Sequence, residues 1–135
     1  MARRNLRQKG YKGASSHGLT GVKWTSWLNR VHLKLVTMIG HSFGAATTVE
    51  VLRQPKNFPY VSQGIILDIW GAGIKTRKDN INGPKISLPI LCINSEAFSY
   101  WEYNFKLVSN LVREARDQGA LAWMLTLRGL SLIHI

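Results

Sequence analysis

The stretch LVTMIGHSFGAATTVEVLR, residues 35–53, decides how the rest of the chain is read. Its opening, LVTMIG (35–40), is short, rich in β-branched residues and almost wholly apolar, the pattern of a strand buried on both faces. The continuation, HSFGAATTVEVLR (41–53), carries Ala46, Val49 and Leu52 at helical intervals, and Pro55 ends that helix. Between strand and helix stands GHSFG (40–44), a G-x-S-x-G sequence. A serine so placed needs a sharp strand-to-helix turn that lifts its hydroxyl above the sheet edge. Glycine two residues to either side removes Cβ atoms that would crowd the turn. Ser42 is thus the candidate nucleophile. The backbone N–H of Phe43, at the helix start, is the candidate oxyanion donor.

Working outward, GIILDIW (64–70) reads as a second apolar strand, followed by a polar Gly/Lys/Asn loop (71–85). Pro89 opens a third strand, ILCIN (90–94). A helix follows over 100–117, with Tyr103, Leu107, Leu111 and Ala115 on one stripe and Gly119 as its C-cap. LAWMLTL (121–127) makes a fourth strand. On the other side, WTSWLNRVHL (24–33) has helical spacing, and residues 1–21 read as a basic, Gly- and Ser-rich loop. Apolar strands alternating with helices indicate an α/β fold with a mostly parallel sheet and flanking helices.

A serine nucleophile needs a histidine base, and the base needs an acid to hold its tautomer. On a nucleophile elbow the chain order is serine, acid, histidine. Two acids stand at strand ends, Asp68 in GIILDIW and Glu96 in INSEAF. A carboxylate inside an apolar strand is costly to bury without a partner, which favours Asp68. Glu96, just past its strand, is the alternative, with a solvated loop carboxylate as its ordinary reading. His17 and His32 precede the serine, and His41 is its immediate neighbour. His134 alone follows the last strand and is the formal base.

The composition narrows the classes further. The chain has 135 residues, 45% of them apolar and 19% charged, as in a globular protein. An α/β sheet with this elbow normally takes a longer chain, so the reading expects a partial domain. The formal charge of +11 is concentrated in residues 1–49, which hold eight Lys and Arg and no acid before Glu50. Such a block suits an anionic surface, but no nucleic-acid-reading signature accompanies it, and acidic counterparts elsewhere in a longer parent are the favoured account. The start MARRNLRQKGYKG lacks the apolar segment of a signal peptide, and no run approaches the ~18–20 apolar residues of a membrane span. These features favour a cytoplasmic or membrane-peripheral setting. The single Cys92 lies in the apolar run LPILCIN (88–94) and reads as a small core residue.

Taken together, KGYKGASSHGLTG, RVHLKLVTMIGHSFGAATTVEVL, GIILDIW, LPILCINSEAFSYW and LTLRG resemble the platelet-activating factor acetylhydrolases, most closely the fungal members, over roughly residues 7–129. GHSFG with a downstream LD-x-W, INSE and T-x-RG is a specific combination. The resemblance implies the C-terminal part of an α/β-hydrolase fold, with 22–129 as its family-like portion. It implies a serine carboxylester hydrolase that removes acetyl or short or oxidised sn-2 acyl groups from phospholipids. It implies hydrolysis without a metal, and no cofactor is expected; the missing nucleic-acid signatures argue against a nucleic-acid partner, and no protein partner is predicted. The substrate would be met at a membrane or lipoprotein surface. It implies Ser42 as nucleophile, Asp68 as triad acid and Trp70 as the tryptophan beside the acyl pocket, where plain core packing is the competing account of Trp70. A general carboxylesterase or lipase of the same fold is the alternative enzyme. A non-catalytic, basic membrane-surface binder is the alternative outside enzymes.

The family pattern continues T-x-RG with Ser or Thr, one residue and the catalytic histidine, whereas Leu132 stands at that place here. The terminal LSLIHI (130–135) is what one frame of a common sequencing adaptor, CTGTCTCTTATACACATC, encodes. Residues 130–135 are therefore read as adaptor-derived, His134 as accidental, and the chain as a fragment inactive by itself. The expected outcome is that genomic DNA following the Gly129 codon encodes Ser or Thr, one residue, then His. Genomic DNA encoding LSLIHI and a stop would refute this.

Overall fold

The computed structural model describes residues 30, 34–74 and 82–130. The described elements lie within Lys34–Ile135, a compact unit by itself. The expected loop at 1–21, the helix at 24–33 and the tail at 131–135 fall outside the described residues, as does 75–81 of the polar loop.

Four strands form one sheet: β1 (Val36–His41), β2 (Val61–Leu67), β3 (Ile90–Ser95) and β4 (Ala122–Leu127). They lie in chain order, and every neighbouring pair is parallel. Parallel neighbours need crossovers. Helix α1 (Phe43–Leu52) links β1 to β2, while a short helix α2 (Glu96–Ser99) and the long α3 (Glu102–Asp117) link β3 to β4. The expected α/β class and parallel sheet are what the chain adopts.

Both long helices cover the same sheet face. The rows Met38–Gly64–Ile90–Ala122 and Gly40–Ile66–Cys92–Met124 point toward them. A Cβ on Gly64 would collide with Leu52 of α1, so α1 sits directly on β2. On the β4 side, the Ser109 hydroxyl of α3 reaches the Met124 sulfur at 3.9 Å. Ile66, Cys92, Val49, Leu52 and Val108 are fully buried between the layers. Burial pushes the Cys92 thiol up to about 12, so it stays protonated and inert, in line with its reading as core.

One polar clamp joins the helices. Arg53, just past α1, donates through Nε and Nη2 to the two oxygens of Glu114 on α3, at 3.1 and 2.9 Å. Glu114 also accepts the Ile86 N–H at 3.0 Å, and both side chains are almost fully buried. Breaking such a pair from one side strands a buried charge, at about 3–5 kcal/mol.

Strand β2 departs most from the sequence reading, the other strand ends moving by a single residue. Strand β2 begins at Val61 rather than Gly64, because Gln63 faces the other side of the sheet and donates to the Thr37 hydroxyl at 2.7 Å. It ends at Leu67, so Asp68 is not inside the strand. The cause is β1, which leaves the ladder at the Ser42 turn and leaves β2 without its neighbour beyond the His41–Leu67 pair. Helix α2 is an unanticipated element: the Ser95 hydroxyl accepts the Phe98 N–H and caps it.

The opposite sheet face carries the rows Ile39–Ile65–Leu91–Trp123 and His41–Leu67–Ile93–Leu125. No described element covers it, and Ile39 and Trp123 are 60% and 61% exposed. Strands this apolar expect a layer on each side. Residues 1–135 expressed alone should therefore aggregate on gel filtration. Replacing Ile39, Trp123 and Leu125 together by Thr should raise the monomer fraction. A wild-type monomer with a sharp thermal transition would contradict this.

Candidate active site

Ser42 occupies the junction of β1 and α1 with φ 53° and ψ −116°. A non-glycine residue held there stores of order 1–3 kcal/mol of strain, and only surrounding contacts keep it in place. Those contacts are backbone bonds. The Ser42 N–H donates to the Leu67 carbonyl at 3.0 Å, and the Ser42 carbonyl accepts the Trp70 N–H at 3.1 Å. The same carbonyl accepts the Ala45 and Ala46 N–H groups and so starts α1. The Ser42 hydroxyl makes no capping bond to the helix it precedes.

The glycines flanking the serine are unequal. A Cβ on Gly40 would lie 2.2 Å from the Gly44 carbonyl oxygen and 2.5 Å from the Thr48 hydroxyl. A Cβ on Gly44 would meet nothing within 4 Å. The sequence reading asked for glycine on both sides; of these two, Gly40 alone is sterically required.

Asp68 lies within the segment that the two Ser42 bonds bracket. It also has a positive φ, 36°, and its N–H donates to the Ile93 carbonyl at 3.2 Å. Its side chain is buried, 6% exposed, and Oδ1 accepts the Ser95 N–H at 2.6 Å. Charge-assisted bonds of this length offset part of the cost of burying a carboxylate. The turn conformation, rather than a place in the strand, brings this acid to the carboxyl end of β2, beside the end of β1 that carries Ser42.

Phe43 and Trp70 form the outer wall of this corner. Their ring centroids are 5.8 Å apart with planes inclined by 42°. Both are substantially exposed, at 62% and 46%, so Trp70 is not a residue of the core. Just beyond it, the Gly71 N–H donates to Oδ1 of buried Asn104 on α3 at 3.3 Å, tying the corner to the long helix. His41, last in β1, lies in the uncovered row with Leu67 and Ile93. His134 lies outside the described residues. Among the described residues no group of His, Cys, Asp and Glu could hold a metal ion, and no helix is long and apolar enough to cross a membrane.

Sequence reasoning missed Asn104, whose buried amide gives no signal in a helical stripe. It also missed the Glu96 bond to Gly129, although SEAF after an apolar strand carries the serine cap that starts α2.

A parallel sheet whose strand turns through a strained serine into a covering helix defines the α/β-hydrolase class. The family model for platelet-activating factor acetylhydrolase, isoform II, matches residues 16–130, and the chain belongs to that family of hydrolases. The chain is 34% identical over 91 residues to a platelet-activating factor acetylhydrolase of Gallus gallus, covering 64% of this chain and 20% of the relative. It is 32% identical over 94 residues to the protein of that name in Canis lupus familiaris, covering 70% of this chain and 18% of the relative. It thus spans about a fifth of the length of these relatives.

The unequal glycines give a direct check on the elbow. Gly40→Ala in the full-length protein encoded by the gene should cost about 1–3 kcal/mol in urea unfolding, because neither backbone nor Thr48 can yield freely. An unchanged midpoint would show that the turn is looser than described.

Proposed function

We propose that the chain carries the nucleophile and acid of a serine carboxylester hydrolase that removes acetyl or short or oxidised sn-2 acyl groups from phospholipids. One observation carries this reading: Ser42 and the Asp68 segment are locked together by two backbone bonds at adjacent strand ends. The acyl-group preference follows from the family and from the names of its relatives.

Ser42 Oγ attacks the ester carbonyl and passes its proton to a histidine that follows β4. Asp68 holds that imidazole in the right tautomer and stabilises its cation. The Phe43 N–H, at the start of α1, donates to the oxyanion as charge moves onto the carbonyl oxygen. The intermediate collapses, the histidine returns the proton to the departing lysophospholipid oxygen, and an acyl-serine remains. Water, deprotonated by the same base, releases the acid and restores Ser42. Trp70 and Phe43 present an apolar wall against a short acyl chain. In this chain the base position after β4 holds Leu132, and His134 substitutes for it only formally.

A fluorophosphonate probe and a short-acyl phosphatidylcholine test this together. The full-length protein should label at Ser42 and hydrolyse the ester, and Ser42→Ala should abolish both. The 135-residue chain should label far more slowly. Unaltered turnover in Ser42→Ala would defeat the reading, and salt-sensitive binding to anionic vesicles without any turnover would favour the non-catalytic binder.

A further inference from the structure

Residues 95–97 stand between two parts of the site and touch both. The Ser95 N–H donates to the Asp68 carboxylate at 2.6 Å. The next residue, Glu96, turns its carboxylate the other way, and Oε2 accepts the Gly129 N–H at 2.7 Å. The Ala97 N–H then donates to the Leu130 carbonyl at 3.3 Å. Gly129, with φ 76°, is the left-handed residue of the turn that leaves β4. On the hydrolase reading the base comes later in the chain than the acid, and the family resemblance puts it just after this turn.

We propose that Glu96 is a positioning residue: its carboxylate fixes the Arg128–Gly129 turn, and so sets where the base-bearing segment starts relative to Asp68. The inference rests on the hydrolase reading above. The physical argument is economy of linkage. Three consecutive residues at the start of α2 hold the acid on one side and the exit of β4 on the other, so the acid-to-base spacing is set by one short rigid piece. Of the two parallel bonds, the one from Ala97 ends at Leu130, the first residue read above as adaptor-derived, so the anchor on the native turn is the Glu96 bond to Gly129. The Glu96 bond is the shorter, and its acceptor is charged, which makes it the stronger of the two. The geometry also separates the two acids that the sequence left in competition. Asp68 is the more deeply buried and lies in the segment bonded to Ser42, whereas Glu96 is engaged with a backbone amide on the base side.

The test uses the full-length protein with Glu96→Ala and Glu96→Gln, read by steady-state kinetics and by hydrogen exchange at the Gly129 amide. In Glu96→Ala the kcat should fall about 10–100-fold with KM little changed, as for a reacting group displaced by a fraction of an ångström to an ångström. Gly129 exchange should quicken in the same variant. Glu96→Gln retains an oxygen that accepts the Gly129 N–H, so it should recover most of kcat and keep Gly129 slow. Glu96→Asp withdraws the acceptor by one methylene and carries the Ala expectation if the Ala variant does not fold. Equal losses of about 10⁴-fold in Ala and Gln variants would make Glu96 the triad acid and overturn the positioning role. Wild-type kcat in Glu96→Ala, or Gly129 exchange unmoved by it, would overturn it too. The exchange readout needs no turnover, so it stands even if Ser42→Ala shows that the protein is not a serine hydrolase.

Discussion

The site depends on a pair of backbone hydrogen bonds between the end of β1 and the segment leaving β2. Ser42 donates to Leu67 and accepts from Trp70, and Asp68 is enclosed between those two partners. Each residue alone is in an unfavourable conformation, Ser42 at φ 53° and Asp68 at φ 36°. The two strained turns are mutually supporting, because each supplies the hydrogen-bond partner that holds the other. A strained residue persists only where its surroundings over-determine it. Here the surroundings are the parallel pairing of β1 with β2 and the close seat of α1 at Gly40 and Gly64.

Carboxylates are scarce in this chain, seven against eighteen Lys and Arg, and the use made of them is telling. Asp68 accepts the Ser95 N–H, Glu96 the Gly129 N–H, and Glu114 the Ile86 N–H together with the Arg53 guanidinium. Three acids therefore organise loops by accepting backbone donors.

Much of this was legible from residue types. The apolar, β-branched runs located all four strands, and GHSFG located the elbow, because strand burial and turn sterics act on neighbours in sequence. What escaped was set by neighbours in space. Gln63 lies outside the apolar run that marked the strand, and its place in β2 shows only when Thr37 is seen across the ladder. Asp68 looks like part of an apolar strand until β1 is seen to leave the sheet one pair earlier. Arg53 and Glu114 are 61 positions apart, and no local pattern joins them. The Glu96 bond to Gly129 spans 33 positions in the same way.

The sheet face that no described element covers bears on the site less than its size suggests. The elbow bonds run within the plane of the sheet, and the contacts that make Gly40 obligatory come from α1, on the covered face. Loss of packing on the Ile39–Trp123 row weakens the sheet as a whole. It does not act first on the Ser42 turn. The far side of the sheet is different: β4 is an edge strand among the described residues, and its Trp123, Leu125 and Leu127 are all exposed. An edge strand is the part of a sheet most free to shift. The Glu96 bond ties the exit of β4 to the start of α2, directly after the interior strand β3, and so refers that exit to the firmer part of the sheet.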